Sequence, residues 1–158
     1  MAAVVIGIGN EWRGDDAVGR EVVRSLRGTL GGSVRLTECN GMANEILDAW
    51  EGCDRAILVD AVRTGAAPGS LTRLDCSQTL PETGLPVSTH GFGVREAIEL
   101  ARNIGRLPET VIVYGVEASN FEMGAPLSAP VARAVATATR RVAAEVERPG
   151  QSSTPPPQ

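Results

Sequence analysis

The chain has 158 residues, 42% of them hydrophobic and 22% charged, with a formal net charge of −4 at pH 7. That length suits one domain, since a chain of this size buries roughly 70% of its unfolded surface. An acidic balance without a dense Lys/Arg cluster argues against nucleic acid and anionic membrane surfaces as partners.

No apolar run approaches the ~20 residues that span a bilayer. The opening MAAVVIGIGN lacks the basic region and cleavage site of a signal peptide, so a cytoplasmic location is expected. Cys39, Cys53 and Cys76 are widely spaced, with no CxxC pair, and are expected to be buried thiols.

Residues 4–19, VVIGIGNEWRGDDAVG, read as strand, loop and helix. The apolar run ends in Gly7 and Gly9, and the turn delivers Asp15 and Asp16 to the start of a helix over 17–27. Val18, Val22 and Leu26 give that helix one apolar face. Asp15 is placed to cap it, whereas Asp16 is open between a structural role and a ligand role.

A second strand is expected over 33–39 and a short helix over 42–50, with Ile46, Leu47 and Trp50 on one face. RAILVDAV, residues 55–62, is nearly continuous in apolar character, as suits a central parallel strand covered on both sides. Residues 70–75 read as an edge strand, antiparallel in one reading. A Pro/Gly-containing surface loop over 76–89 leads to His90, followed by a helix over 91–102.

TVIVYG, residues 110–115, is a further buried strand, and the loop after it suits a cleft wall. Ser128 and Pro130 open a long last helix. Residues 149–158 are Pro- and Ser-rich and are expected to be disordered. Strands alternating with helices predict an α/β fold: a three-layer α/β/α domain over 1–148 with a mostly parallel, five-stranded sheet.

Asp60 is the acidic interruption of the apolar 55–62 strand, near its carboxyl end. A carboxylate there costs several kcal/mol unless it is paired, coordinated or reaches the rim. His90 is the single histidine and precedes a helix, whose positive end disfavours imidazolium and keeps the ring able to coordinate. Asp16, Asp60 and His90 together would make an O,O,N site for a borderline divalent ion, with open positions for water or substrate.

Other chemistries fit less well. Gly7 and Gly9 match GxG, but Trp12 stands at the third required position and no GKS or GKT follows, which weakens a nucleotide-binding α/β module. A Ser/His/Asp triad built on Ser88 or Ser119 lacks the GxSxG elbow, and Cys39 or Cys76 paired with His90 is equally unsupported.

GIGNEWRGDDAVG, ILVDAV, STHGFGV and YGVEASNFEMGAPLS, in this order and spacing, resemble the hydrogenase maturation endopeptidases over nearly the whole chain to about residue 148. The chain departs from that pattern at residues 38–42, Glu-Cys-Asn-Gly-Met, where a double glycine is common, and at Ala118, where proline is frequent.

The resemblance implies a protease that removes the C-terminal extension of a nickel-iron hydrogenase large-subunit precursor after nickel insertion. It makes Asp16, Asp60 and His90 the metal-contacting and catalytic residues. Nickel is then supplied by the precursor, no organic cofactor is involved, and the protein is expected to act as a monomer. A non-proteolytic nickel-binding assembly factor using the same residues is the main alternative.

Overall fold

The computed structural model describes residues 2–78 and 93–148. Residues 79–89 of the expected surface loop, with Ser88, then His90 and the first two residues of the helix expected over 91–102, and the 149–158 tail lie outside the described residues. Five strands form one sheet: β1 (Ala3–Ile8), β2 (Val34–Cys39), β3 (Arg55–Val62), β4 (Leu71–Asp75) and β5 (Thr110–Glu117). Their spatial order is β2-β1-β3-β5-β4, parallel except for the antiparallel pairing of β4 with β5.

The helices are α1 (Val18–Leu26), α2 (Ala43–Trp50), α3 (Gly93–Asn103) and α4 (Ala129–Glu147), and a 3-10 turn (Gly14–Ala17) precedes α1. The expected three-layer fold is observed. β3 has the same bounds as the strand expected from sequence, and every one of its residues is buried.

Alternation along the strands divides the core into two layers. Val4, Ile6, Ile8, Ala56 and Leu58 pack with Ile46 and Trp50 of α2 and with Val94, Ala97 and Ile98 of α3. Val5, Ile57, Val59, Ile112 and Tyr114 face the other way, toward Val22 and Leu26 of α1 and Val131, Ala138 and Val142 of α4. A sheet covered on both sides needs apolar residues at successive positions, which is why β3 and β5 lack a polar face.

Glycines set the distance between β1 and α1. A Cβ on Gly19 would stand 2.2 Å from the Val59 carbonyl oxygen and 2.7 Å from that of Ile8, and one on Gly7 would stand 2.4 Å from the Gly19 carbonyl oxygen. The helix therefore touches the backbones of two strands, and the GxG pattern serves this close packing.

At the amino ends of the strands, Arg55 is buried and its guanidinium donates to the carbonyls of Glu145, Val146 and Arg148, closing the C-terminus of α4. Glu145, also buried, accepts from Arg73 at 2.5 Å and from the Tyr114 hydroxyl at 2.9 Å, so α4 is tied to β3, β4 and β5.

The three cysteines are free and buried, as expected. No described helix is long and apolar enough to cross a membrane.

Gly19→Ala is expected to cost about 2 kcal/mol or more, because the added methyl meets rigid backbone on two strands. Urea denaturation should show a lower midpoint at unchanged slope.

Candidate active site

The sheet order defines where a ligand fits. The chain leaves β1 for β2 on one side, while β3 lies on the other side of β1. In open α/β sheets such a switch point leaves a crevice at the carboxyl ends of the strands, where ligands bind. Asp16 follows β1 and Asp60 lies near the carboxyl end of β3, so the two acids come from the two strands that flank this crevice.

Both are withdrawn from water: Asp16 is 0% and Asp60 1% exposed. Asp60 shares the sheet face of Ala56 and Leu58, toward α2 and α3, and pairs in register with Gly115 of β5. The Asp16 Oδ2 accepts the backbone N–H of Asn10 at 3.0 Å, a bond that suits a carboxylate. Gly9 makes the approach possible: with φ at +149°, its Cβ would lie 1.8 Å from the Asp16 carbonyl oxygen.

Asp15 does something other than the expected helix capping. Neither the 3-10 turn nor α1 has a side-chain cap bond. Asp15 is fully buried and reaches across to the loop between β5 and α4 instead. There it accepts the backbone N–H groups of Ser119 (2.9 Å), Asn120 (2.9 Å) and Ser128 (2.7 Å), together with the hydroxyls of Ser119 and Ser128.

Burial alone would raise the Asp15 carboxyl, but the backbone donors of Ser119, Ser128 and Asn120 and the Ser128 hydroxyl outweigh it and hold the group below its ordinary 3.8. Ser128 does stand at the N-cap position of α4, with Pro130 in the first turn. Its hydroxyl goes to Asp15, however, and makes no cap bond.

Two more clamps hold this edge. Arg20 donates through Nε to the Gly9 carbonyl at 2.6 Å and through an η nitrogen to Asn40 at 2.9 Å, joining the loops after β1 and β2. Glu117, buried at the end of β5, accepts from the Thr64 and Gly65 backbones and from the Thr64 hydroxyl, fixing the turn after β3. Sequence reading missed both roles. An acid at the end of a buried strand was a usable signal for Glu117, whereas Arg20 lies among ordinary polar helix residues.

Cys39 sits at the end of β2 beside this edge. Burial first, and then the nearby Glu45 and Asp60 carboxylates, push its thiol up to about 11 against the donor effect of Gly41 and the charge of Arg20. Burial chiefly, with the Asp75 charge, raises Cys76 likewise to about 11. Burial therefore disfavours the thiolate form of both cysteines. The Ser119 hydroxyl bonds with Asp15 and Ser128. Among the described residues no group of three or more His, Cys, Asp and Glu is arranged to hold a metal.

Comparison with known proteins fits this geometry to an activity. Residues 21–145 match the family model described as hydrogenase maturation protease. The chain belongs to this family. Asp60 and His90 fall inside the matched span, and Asp16 falls before its start.

Among curated proteins, the hydrogenase 2 maturation protease of Escherichia coli is 25% identical over 98% of this chain and 96% of its own. The hydrogenase expression/formation protein HupD of Bradyrhizobium diazoefficiens is 29% identical over 81% of this chain and 69% of its own. Among solved structures, the hydrogenase maturating endopeptidase HybD from E. coli superposes with a TM-score of 0.79 at 25% identity, covering 92% of each chain. The protein is accordingly a peptide-bond hydrolase, a processing endopeptidase of hydrogenase maturation.

Replacing Asp15 by Asn puts an NH2 donor where an acceptor-only carboxylate now meets three backbone donors, and we expect a loss of about 2–3 kcal/mol at pH 7. Because the folded carboxyl lies below its ordinary value, its stabilisation is complete above that value and is lost as pH falls through the folded one. The stabilities of wild type and Asp15→Asn should therefore begin to converge as pH falls below about 4. Amide exchange at Ser119, Asn120 and Ser128 should quicken in the variant at pH 7.

Proposed function

We propose that this endopeptidase removes the C-terminal extension of a nickel-iron hydrogenase large-subunit precursor after nickel insertion, and that Asp16, Asp60 and His90 read the bound nickel. The observation that carries the reading is the pair of water-excluded carboxylates at the carboxyl ends of β1 and β3, on either side of the switch point. Carboxylate oxygens from two strands at one crevice are donors suited to a divalent cation that arrives with the precursor.

His90 joins them in this proposal through its place in the sequence, three residues before α3, and through where that helix begins. Gly93, the first residue of α3, packs so closely on Gly41 that a Cβ would lie 1.7 Å from the Gly41 carbonyl oxygen. Gly41 comes two residues after the end of β2, so α3 starts at the same carboxyl edge.

Nickel is cargo of the precursor in this scheme and supplies Lewis acidity to the scissile carbonyl or to water. The chain's own residues orient the loaded precursor and move protons. One of the two carboxylates takes the proton from the attacking water, and the other stays a ligand. Asp15 keeps the adjacent Asp16 turn fixed against the 119–128 loop, so productive geometry exists before the precursor arrives.

The test is the intact mass of a cognate precursor, nickel-loaded and nickel-free, after incubation with wild type, Asp16→Asn, Asp60→Asn and His90→Ala. Loss of a C-terminal peptide with nickel and wild type, and a fall of at least about 100-fold in rate with each variant, are expected. A precursor that binds and stays intact with wild type, while a known maturation protease cuts it, would move the reading to a non-proteolytic assembly factor.

A further inference from the structure

Three loops extend from the carboxyl ends of β1, β3 and β5, and together they present a surface that the chemistry above does not use. Arg63, just after β3, stacks on Phe121 with its guanidinium carbon 4.3 Å from the ring centroid. Arg13, from the loop after β1, lies 6.0 Å from the same centroid. One aromatic ring from the 119–128 loop thus holds two cations on the rim of the acidic crevice. Neither guanidinium has a carboxylate partner among the described residues.

Apolar side chains stand beside them. Trp12 is 67% and Met123 65% exposed, and the Trp12 carbonyl accepts the Gly124 N–H at 2.7 Å, which brings the two loops together. Backbone contacts tie the two loops to each other. The Asp15 N–H donates to the Asn120 carbonyl at 2.7 Å, and Gly14, at a φ of +54°, would bring a Cβ within 2.4 Å of that same oxygen. A large aromatic and a thioether held open to water next to two cations without carboxylate partners have the make-up of an interface centre, where Trp, Met and Arg are enriched.

We propose that this rim docks the precursor segment next to the scissile bond, and that the segment carries an apolar side chain for Trp12 and Met123 and a carboxylate for Arg13 and Arg63. The inference rests on the precursor-processing reading above and adds a requirement on substrate sequence. Charge complementarity selects the occupant: planar guanidinium forks match carboxylates, and the crevice acids repel a second anion from the cleavage centre itself. The rim and the crevice therefore sort the segment, anion outward and cation inward. Continuity with the crevice through Arg13, three residues before Asp16, makes docking and cleavage geometrically coupled.

The experiment measures two quantities. Affinity for nickel-free precursor, which the proposed reaction leaves uncut, is determined for wild type, Arg13→Gln/Arg63→Gln and Trp12→Ser/Met123→Ser. Steady-state cleavage of nickel-loaded precursor is followed with the same proteins, whose melting temperatures are checked.

The double arginine variant is expected to bind about tenfold more weakly, as a lost charge-assisted contact implies. Its KM should rise by a similar factor with kcat within about twofold, and the salt dependence of binding should be flatter than that of wild type. Replacing carboxylates of the precursor's extension by Lys should weaken wild-type binding, and Arg13→Glu/Arg63→Glu should restore it.

Unchanged affinity, KM and salt dependence in folded arginine variants would overturn the docking surface while leaving the endopeptidase reading intact. Wild type that binds precursor through these arginines but never cuts it would overturn the processing reading and keep the surface. Wild type that neither binds nor cuts nickel-loaded precursor would overturn both.

Discussion

The carboxylate of Asp15 is the interaction on which this edge of the molecule depends. A buried carboxylate is expensive to desolvate, and here it is satisfied by three backbone N–H groups and two hydroxyls, all from the 119–128 loop and its junction with α4. Without it, that loop would leave three donors facing the protein interior. The turn after β1, the loop after β5 and the start of the longest helix are thereby one unit. Asp16 is the next residue in the same tight turn, so its position is inherited from its neighbour's bonds.

The two edges of the sheet use charge differently. At the amino ends, Arg55 takes the last carbonyls of α4, and Glu145 takes Arg73 and Tyr114, so opposite charges and polar groups are matched and the helix is anchored to three strands. At the carboxyl ends, acids gather: Asp15, Asp16, Asp60 and Glu117 are all buried there. Asp15 and Glu117 are each consumed by backbone donors of a loop. Asp16 and Asp60 are the carboxylates at the switch point itself. In the proposed reaction this divides the acids into those that build the crevice and those that meet its ligand.

The fold is largely legible in the sequence because the buried strands announce themselves. RAILVDAV and TVIVYG are apolar on both faces, and only a covered parallel sheet needs that. Helical spacing of valines locates α1 and α4. The antiparallel edge strand follows from weaker alternation and is present at Leu71–Asp75. Periodicity cannot supply the tertiary bonds of polar side chains. Asp15 illustrates the limit: its place at the head of a helix satisfies every local rule for a cap, yet a segment more than 100 residues later offers more donors than the helix does. Arg20 is similar, since nothing in the sequence marks a surface-helix arginine as the link between Gly9 and Asn40. Asp60 is legible for the opposite reason, because an acid in an apolar run has few inexpensive explanations.

A crevice that handles a metal belonging to another protein, as proposed for this one, faces a particular constraint. It must hold its ligands in place while the ion is elsewhere, although in many metal sites the ion itself organises the loops around it. In this protein the organising bonds come from protein donors. Asp15 fixes the 119–128 loop, Glu117 fixes the turn at Thr64 and Gly65, and Arg20 fixes Gly9 against Asn40. Close glycine contacts between β1, α1 and β3 remove the remaining slack. With much of the framework set by Asp15, Glu117 and Arg20, binding energy from an arriving substrate is available for positioning the reacting bond instead of ordering the site.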